Sequence, residues 1–319
     1  MKDIYITQLK TDQEITEFFL VKSVAVKLGS NRKKYLDLVL GDSSGEITAK
    51  KWDISDEEQS SIDKIVDGEI VRVKCTINEW KGMKQMRVTK IRKSAPTDEL
   101  DIRDFFKAAP EESEDMYEYL MGIFETFEDE ELKKLCVDLY TENKVKLMYY
   151  PAAKKNHHAE YGGLLYHTKR MMMTGDHITQ IYKNLNRDLL LCGVAIHDME
   201  KLNEINSDER GVSDGYSFEG QLLGHIVQGI KSIEIKASEI GMSREKIVML
   251  EHMILSHHYE PDFGSPKKPL FPEAEVLHYL DILDARMFDM EDALKSVEPG
   301  EFTDGVWTLD YRRLYKAEF

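Results

Sequence analysis

All 10 histidines of this 319-residue chain lie after residue 156, and most interrupt segments otherwise built from Leu, Ile, Val, Met and Gly. His167 stands in L-L-Y-H-T, His197 and Asp198 in V-A-I-H-D, His225 in L-L-G-H-I, and His257 and His258 in L-S-H-H-Y. Asp281 lies in the same manner within H-Y-L-D-I-L-D. A single histidine on an apolar helix is ordinarily a core residue with a hydrogen-bond partner. Five such sites in succession each demand a partner for a buried imidazole or carboxylate, and a shared cation satisfies them together. Mixed imidazole and carboxylate donors suit Mn²⁺, Fe²⁺ or Zn²⁺ better than Mg²⁺, which prefers oxygen and keeps its waters. Adjacent His197 and Asp198 cannot point one way along a regular helix, but at a helix end they can grip from two sides. A carboxylate such as Asp198 can bridge two metals roughly 3.5–4 Å apart, the spacing used for phosphoryl substitution. No cysteine falls in the array, which argues against a structural zinc knot.

Side chains so scattered in sequence need helices to gather them, and everything after about Pro96 reads as helix. EDMYEYLMGIFETF, DEELKKLCVDLYTE, GGLLYHTKRMMMTGDHITQIY, RDLLLCGVAIHDMEKL, EGQLLGHIVQGIKSIEIKASEI, REKIVMLEHMILSHH and EAEVLHYLDILDARMFDMEDAL carry apolar residues at three- and four-residue spacing. The front of the chain reads differently. EFFLVKSVAVKLG, YLDLVL, GDSSGEITAKKW, GEIVRVKCTINEW and QMRVTKIRK are strand-like, with a turn at Asp42-Ser43-Ser44-Gly45 and a short helix expected around Asp56 to Val66. Five strands with a helix between the third and fourth is the element order of an OB-fold. The expected organisation is multidomain: an all-β OB-fold barrel over 1–95, a helical linker region over 96–150 opened by SAPTDE, an all-α domain over 151–296, and a tail over 297–319. Trp307, Tyr311 and Tyr315 suggest that the tail packs back on the body.

Charge is divided along the same line. Residues 1–96 hold 18 basic and 15 acidic residues, a balance of +3, while the remainder carries −19. A weakly basic front on a strongly acidic back fits a binding module joined to a domain of another kind. On the barrel, Tyr35, Trp52 and Trp80 are candidates for base stacking, with Arg32, Lys33, Lys34, Lys50, Lys51, Lys81 and Lys84 for phosphates. Three scattered cysteines, Cys75, Cys136 and Cys192, cannot form a disulfide framework, and no segment reads as a signal peptide or membrane span, so a cytoplasmic protein is expected.

The ordered series H … HD … H … HH … D over residues 167–281 resembles the HD-domain metallophosphohydrolases, an all-helical fold. The resemblance implies one metal held by His167, His197, Asp198 and Asp281. It implies a second held by His225, His257 and His258, with Asp198 bridging. It also places Lys201, in the H-D-x-x-K form, where it could meet a substrate phosphate. A narrower resemblance covers nearly the whole chain. The barrel in front, the HHA-x-x-GGLL-x-H-T run from His157 to Thr168, and the SHH … GSP … P-x-A … LHYLD-x-LDA stretch look like the YhaM-type 3′→5′ exoribonucleases. That family implies a hydrolase that removes nucleotides from the 3′ end of single-stranded RNA, and also DNA, with two divalent cations and Mn²⁺ foremost. Asp198 and Lys201 would be the catalytic pair. Tyr259 departs from the family, where a glycine often follows the HH pair. The alternative is an HD phosphohydrolase acting on small nucleotides or cyclic dinucleotides, with the barrel regulatory. A membrane partner is not expected, and a homo-oligomer is left open.

Several residues have two readings. His157 and His158 could contact substrate or be plain loop histidines. Asp284, one turn beyond Asp281, could replace it as ligand, and His278 lies one turn before it. His177 and His252 are taken as structural, and Met171, Met172 and Met173 as helix contacts.

Overall fold

In the computed structural model, described for residues 2–29, 33–52, 54, 58–59, 62–154 and 158–319, the chain forms two compact units, Met1–Lys107 and Ala108–Phe319.

The first unit is a closed five-stranded barrel of β1 (Glu14–Leu28), β2 (Lys34–Asp42), β3 (Gly45–Lys51), β4 (Ile70–Trp80) and β5 (Met83–Lys93), in the order β1-β2-β3-β5-β4. Alternation sets its inside: Val71, Val73, Cys75 and Ile77 of β4 are buried and the residues between them are not. β1 is long enough to serve two neighbours. Its first half pairs with β4 and its second with β2, with a register shift between Val21 and Ser23 that lets the strand bend. Closure comes from the parallel pairing of β3 with β5, which leaves no free edge. The β4–β5 hairpin turns on Lys81 and Gly82, both at positive φ (53° and 78°), as a tight primed turn requires. Of the short helix expected around Asp56 to Val66, the described residues Ile62 and Ile65 pack in the barrel core.

Residues after Pro96 continue this unit rather than leaving it. Asp104 is buried, its carboxylate accepting from the Lys2 backbone N–H and the Tyr5 hydroxyl, and its carbonyl accepts from Ser43. The division therefore falls at Lys107, eleven residues beyond Pro96.

The second unit is helical except for one small hairpin. Its elements are α1 (Ser113–Glu125), α2 (Glu130–Leu147), α3 (Gly163–Ile181), α4 (Arg187–Ile196), α5 (Lys201–Glu204), β6 (Ile205–Ser207), β7 (Ser213–Tyr216), α6 (Phe218–Glu239), α7 (Arg244–Ser256) and α8 (Pro272–Leu294). The apolar residues of α1 and α2, Met116, Leu120, Phe124, Leu135 and Leu139 among them, lie in this unit's core, so the segment expected as a linker is part of the body. α4 is buried from Asp188 to Ile196 and contacts α2, α3, α7 and α8. At Gly193 a Cβ would lie 2.1 Å from Met253 Cε, so α4 and α7 approach closely one turn before each ends. The C-terminal tail is anchored by Leu309, which is fully buried, while Trp307, Tyr311 and Tyr315 are exposed. Among the described residues no helix is long and apolar enough to cross a membrane.

Candidate metal centre and nucleic-acid interface

The close approach of α4 and α7 brings together the residues that terminate them, His197 and His257, with ring centroids 5.1 Å apart. The last carbonyls of a helix lack intrahelical partners. His197 Nδ1 donates to Val194 O at 2.9 Å, and His257 Nδ1 to Ile254 O at 2.7 Å. A ring that donates from Nδ1 keeps an Nε2 lone pair for a cation. The other three candidate histidines are held through Nδ1 as well: His258 by Phe263 O at 2.6 Å, His225 by Glu204 Oε2 at 3.1 Å, and His167 by Asp284 Oδ2 at 2.8 Å. His225 enters the site because α6 breaks helical geometry at Gly224 (φ 67°, ψ 168°), a conformation that glycine alone adopts readily.

Four of these five nitrogens converge on Asp198. Its Oδ2 lies 3.3 Å from His197 Nε2 and 3.8 Å from His167 Nε2, and its Oδ1 lies 3.4 Å from His225 Nε2 and 3.9 Å from His257 Nε2. Asp281 Oδ1 stands 3.4 Å from His167 Nε2, on the other side of that ring from Asp284. Donor atoms of His167, His197 and Asp198 lie within 4.8 Å of one another, as do those of His225, His257 and His258. Six buried side-chain atoms among the described residues have no hydrogen-bond partner, and four of them are His197 Nε2, Asp198 Oδ1, His225 Nε2 and His257 Nε2. Each would cost about 1–3 kcal/mol left bare. Divalent cations would satisfy all four, and the donor set fits such ions.

Charge in the site follows the same plan. Burial alone would raise the Asp198 carboxyl, but His197, Lys201 and His225 outweigh it and hold it well below the usual range. Asp281 is also depressed: His167 and His197 overcome its burial. Burial works against a charged His167, yet hydrogen bonds to Asp281 and Asp284 raise it to about 9. A cation at His167 Nε2 must therefore displace a proton near neutrality. His257 and His258 are pushed down, by burial first, and His257 further by the charge of His258, which favours the neutral ligand form. Lys201 Nζ sits 2.6 Å from Asp198 Oδ2; burial opposes its charge, and Asp198 keeps it above the ordinary lysine value.

Three residues around this centre have specific buried or orienting contacts. His158 is fully buried, donates or accepts at Nε2 with Asp284 Oδ2 at 2.7 Å, and packs 4.0 Å from the Phe288 ring, so it cannot reach substrate. His157 lies outside the described residues. Asp284 bonds His167 on its outer nitrogen and takes Arg170 Nε at 2.6 Å, the position of an orienting partner for that ring, while Asp281 faces the inner nitrogen. Glu204 has no motif to announce it; it holds both the ring and the backbone N–H of His225 from 21 positions earlier. His278 Nδ1 donates to His257 O, His252 accepts from the Leu270 N–H, and His177 Nδ1 donates to Met173 O. Met171 and Met172 are buried in the core and Met173 is exposed.

On the barrel, Tyr35 and Trp52 stack on each other (4.4 Å, 26°), and Lys50 Nζ stands 5.8 Å from both rings. Trp52 is 43% exposed, and Trp80 is 65% exposed at the β4–β5 hairpin. Lys33, Lys34 and Lys81 are exposed. Lys51 is 4% exposed and its ammonium is committed to Thr89 O and Glu58, so it is not available to a phosphate. Lys84 spends its ammonium on Leu9 O at 2.5 Å. Arg32 lies outside the described residues.

The profile of the OB-fold nucleic acid binding domain matches residues 20–93, and that of the HD domain matches residues 164–286. A protein of Geobacillus sp. (strain WCH70) named 3′-5′ exoribonuclease YhaM is 38% identical over 98% of this chain and 95% of its own length. Its namesake in Oceanobacillus iheyensis is 36% identical over 96% of this chain and 95% of its own.

Proposed function

Since the chain belongs to the YhaM family of 3′-5′ exoribonucleases, a metal-dependent hydrolase of RNA, we propose that the centre around Asp198 is where it cuts. His167, His197, Asp198 and Asp281 would hold one divalent cation, and His225, His257 and His258 the other, with one Asp198 oxygen turned to each. Two such ions supply, when bound, Lewis acidity at the phosphate and an activated water. Donor type admits Mn²⁺, Fe²⁺ and Zn²⁺ alike, and the resemblance to the YhaM-type exoribonucleases puts Mn²⁺ first.

The chain's own groups do the rest. Main-chain carbonyls and the carboxylates of Glu204 and Asp284 orient the rings, so ligand geometry is set before substrate arrives. Lys201 stays charged beside Asp198 and offsets negative charge that grows on the phosphorus oxygens. Water adds to phosphorus, the bond from phosphorus to the 3′-oxygen breaks, and that oxygen takes a proton. The products are a nucleoside 5′-monophosphate and an RNA one residue shorter. The barrel binds the single strand, with Trp52, Tyr35 and Lys50 as its core contacts, and single-stranded DNA is the second substrate. Three buried free cysteines support a cytoplasmic setting.

The observation that carries this reading is the division of Asp198 between the two histidine sets. Its test is Mn²⁺-dependent digestion of 5′-labelled single-stranded RNA by the wild type and by Asp198→Ala. A ladder that shortens from the 3′ end in the wild type alone supports it. Equal ladders from a folded Asp198→Ala protein would remove the catalytic assignment.

A further inference from the structure

The loop between His258 and α8 has features that metal holding does not use. Phe263 is 69% exposed, yet its main chain is fixed: its carbonyl accepts from His258 Nδ1 at 2.6 Å and its N–H donates to Glu260 O at 3.0 Å. Ser265, fully buried, accepts from the His258 N–H at 3.1 Å. Gly264 abuts α6, where a Cβ would meet Ile226 Cδ1 at 3.2 Å, one residue after His225. The loop is thus tied to His258, whose ring lies 5.1 Å from that of His225. The phenyl ring is held in solvent by a fixed main chain beside the candidate metal centre.

The same loop sets two lysines side by side, balanced by Glu260 and Asp262 near its start, with Lys268 Nζ 3.9 Å from Glu260 Oε1. Lys267 and Lys268 are exposed, and Lys268 Nζ stands 4.3 Å over the Tyr259 ring. They belong to a part of the chain with a balance of −19 after residue 96, which repels a polyanion in general. An exposed aromatic with adjacent lysines is the chemistry that holds single-stranded nucleic acid: the ring stacks on a base, the ammonium groups meet phosphates.

We infer that the loop from Tyr259 to Leu270 grips the end of the RNA strand, with Phe263 stacked on a base beside the scissile phosphate and Lys267 and Lys268 on the backbone. Stacking accepts any base, which suits an enzyme that must take each nucleotide in turn. The inference rests on the exonuclease reading and deepens it.

The test measures kcat and KM on short 5′-labelled single-stranded RNA with Mn²⁺ for the wild type, Phe263→Ala, Phe263→Trp and Lys267→Ala/Lys268→Ala. Trp307→Ala, which removes an exposed ring of the C-terminal tail, is the control. Phe263→Ala should raise KM about tenfold with kcat within about threefold, and Phe263→Trp should restore it. The double lysine variant should raise KM and flatten its dependence on salt. RNA made abasic at the last or the penultimate nucleotide should cost the wild type the same factor, and on one of these substrates Phe263→Ala should cost nothing more. Mn²⁺ affinity by calorimetry should not change in Phe263→Ala, because the bond to His258 comes from the main chain. A wild-type KM in Phe263→Ala, an additive penalty on both abasic substrates, or a loss of Mn²⁺ affinity that tracks the lost activity would each overturn the grip. Absence of any Mn²⁺-dependent shortening by the wild type would instead overturn the exonuclease reading beneath it.

Discussion

Asp284 holds the outer nitrogen of His167 at 2.8 Å while Asp281 faces the inner one at 3.4 Å, so two carboxylates one helical turn apart divide the ring between them. Their roles follow from which nitrogen each touches. Asp284 also binds His158 and Arg170, which fixes its own position from three sides.

Replacing Asp284 by Asn keeps the shape and weakens the acceptor that orients His167. The expected result is a loss of Mn²⁺ affinity of about 10–100-fold, the usual effect of an orienting partner. Isothermal calorimetry reads it directly, and so does a smaller rise in melting temperature on adding Mn²⁺. Unchanged affinity would mean that the carboxylate serves only Arg170 and His158.

Lys201 and Asp198 should separate in kinetics. Lys201→Ala should lower kcat about 10²–10³-fold, the scale for losing one preorganised charge at a transition state. Asp198→Ala should lower it much further and abolish Mn²⁺-dependent stabilisation. Comparable rate losses in the two variants at saturating Mn²⁺ would argue that Lys201 acts only by holding Asp198.

The pH dependence of stability has a separate handle in Asp129, which caps α2 and pairs with Lys246 of α7 at 2.6 Å. Burial would raise this carboxyl, but Lys246 and the Leu132 and Glu131 N–H groups hold it below its ordinary value. A depressed carboxyl stabilises the fold above the unfolded value near ~4, and the gain is lost as pH falls through the folded value. Asp129→Asn keeps a good capping residue and removes the charge. The wild type should melt higher than this variant at pH 6–7, with the gap narrowing steadily below about pH 4. A gap that stays constant with pH would assign it to something other than the charge.

Trp52→Ala should weaken binding to a long single strand by roughly 5–100-fold, the range for one stacked base, while turnover of a dinucleotide stays near wild type. Fluorescence anisotropy with labelled RNA and a dinucleotide assay check the two halves. Equal losses on both substrates would make the Tyr35–Trp52 stack a structural element.

What could be read in the sequence was what obeys a period or a chemical rule. Strands alternate and helices repeat at three to four, and cation ligands must be imidazoles or carboxylates, which stand out on apolar helices. His167, His197, Asp198, His225, His257, His258 and Asp281 stand out as candidates for that reason, and the structure turns the Nε2 atoms of His167, His197, His225 and His257 toward Asp198. Orienting groups obey no such rule. Glu204 and Asp284 need only lie within reach of a ring, and they do so from 21 and 117 positions away. The boundary was misplaced because Asp104 is tied to Lys2 and Tyr5, about a hundred residues back, which no local composition reports. Lys51 is a different case. Ile47, Ala49 and Lys51 alternate onto the inner face of β3, so its burial was already written in the strand's period.

His197 and His257 each finish a helix with one nitrogen and offer the other to the site. The docking of α4 on α7 therefore places these two rings, and His167, His225 and Asp281 join them from α3, α6 and α8. A chain stripped by chelation should keep its helical content and regain activity on resupply without refolding.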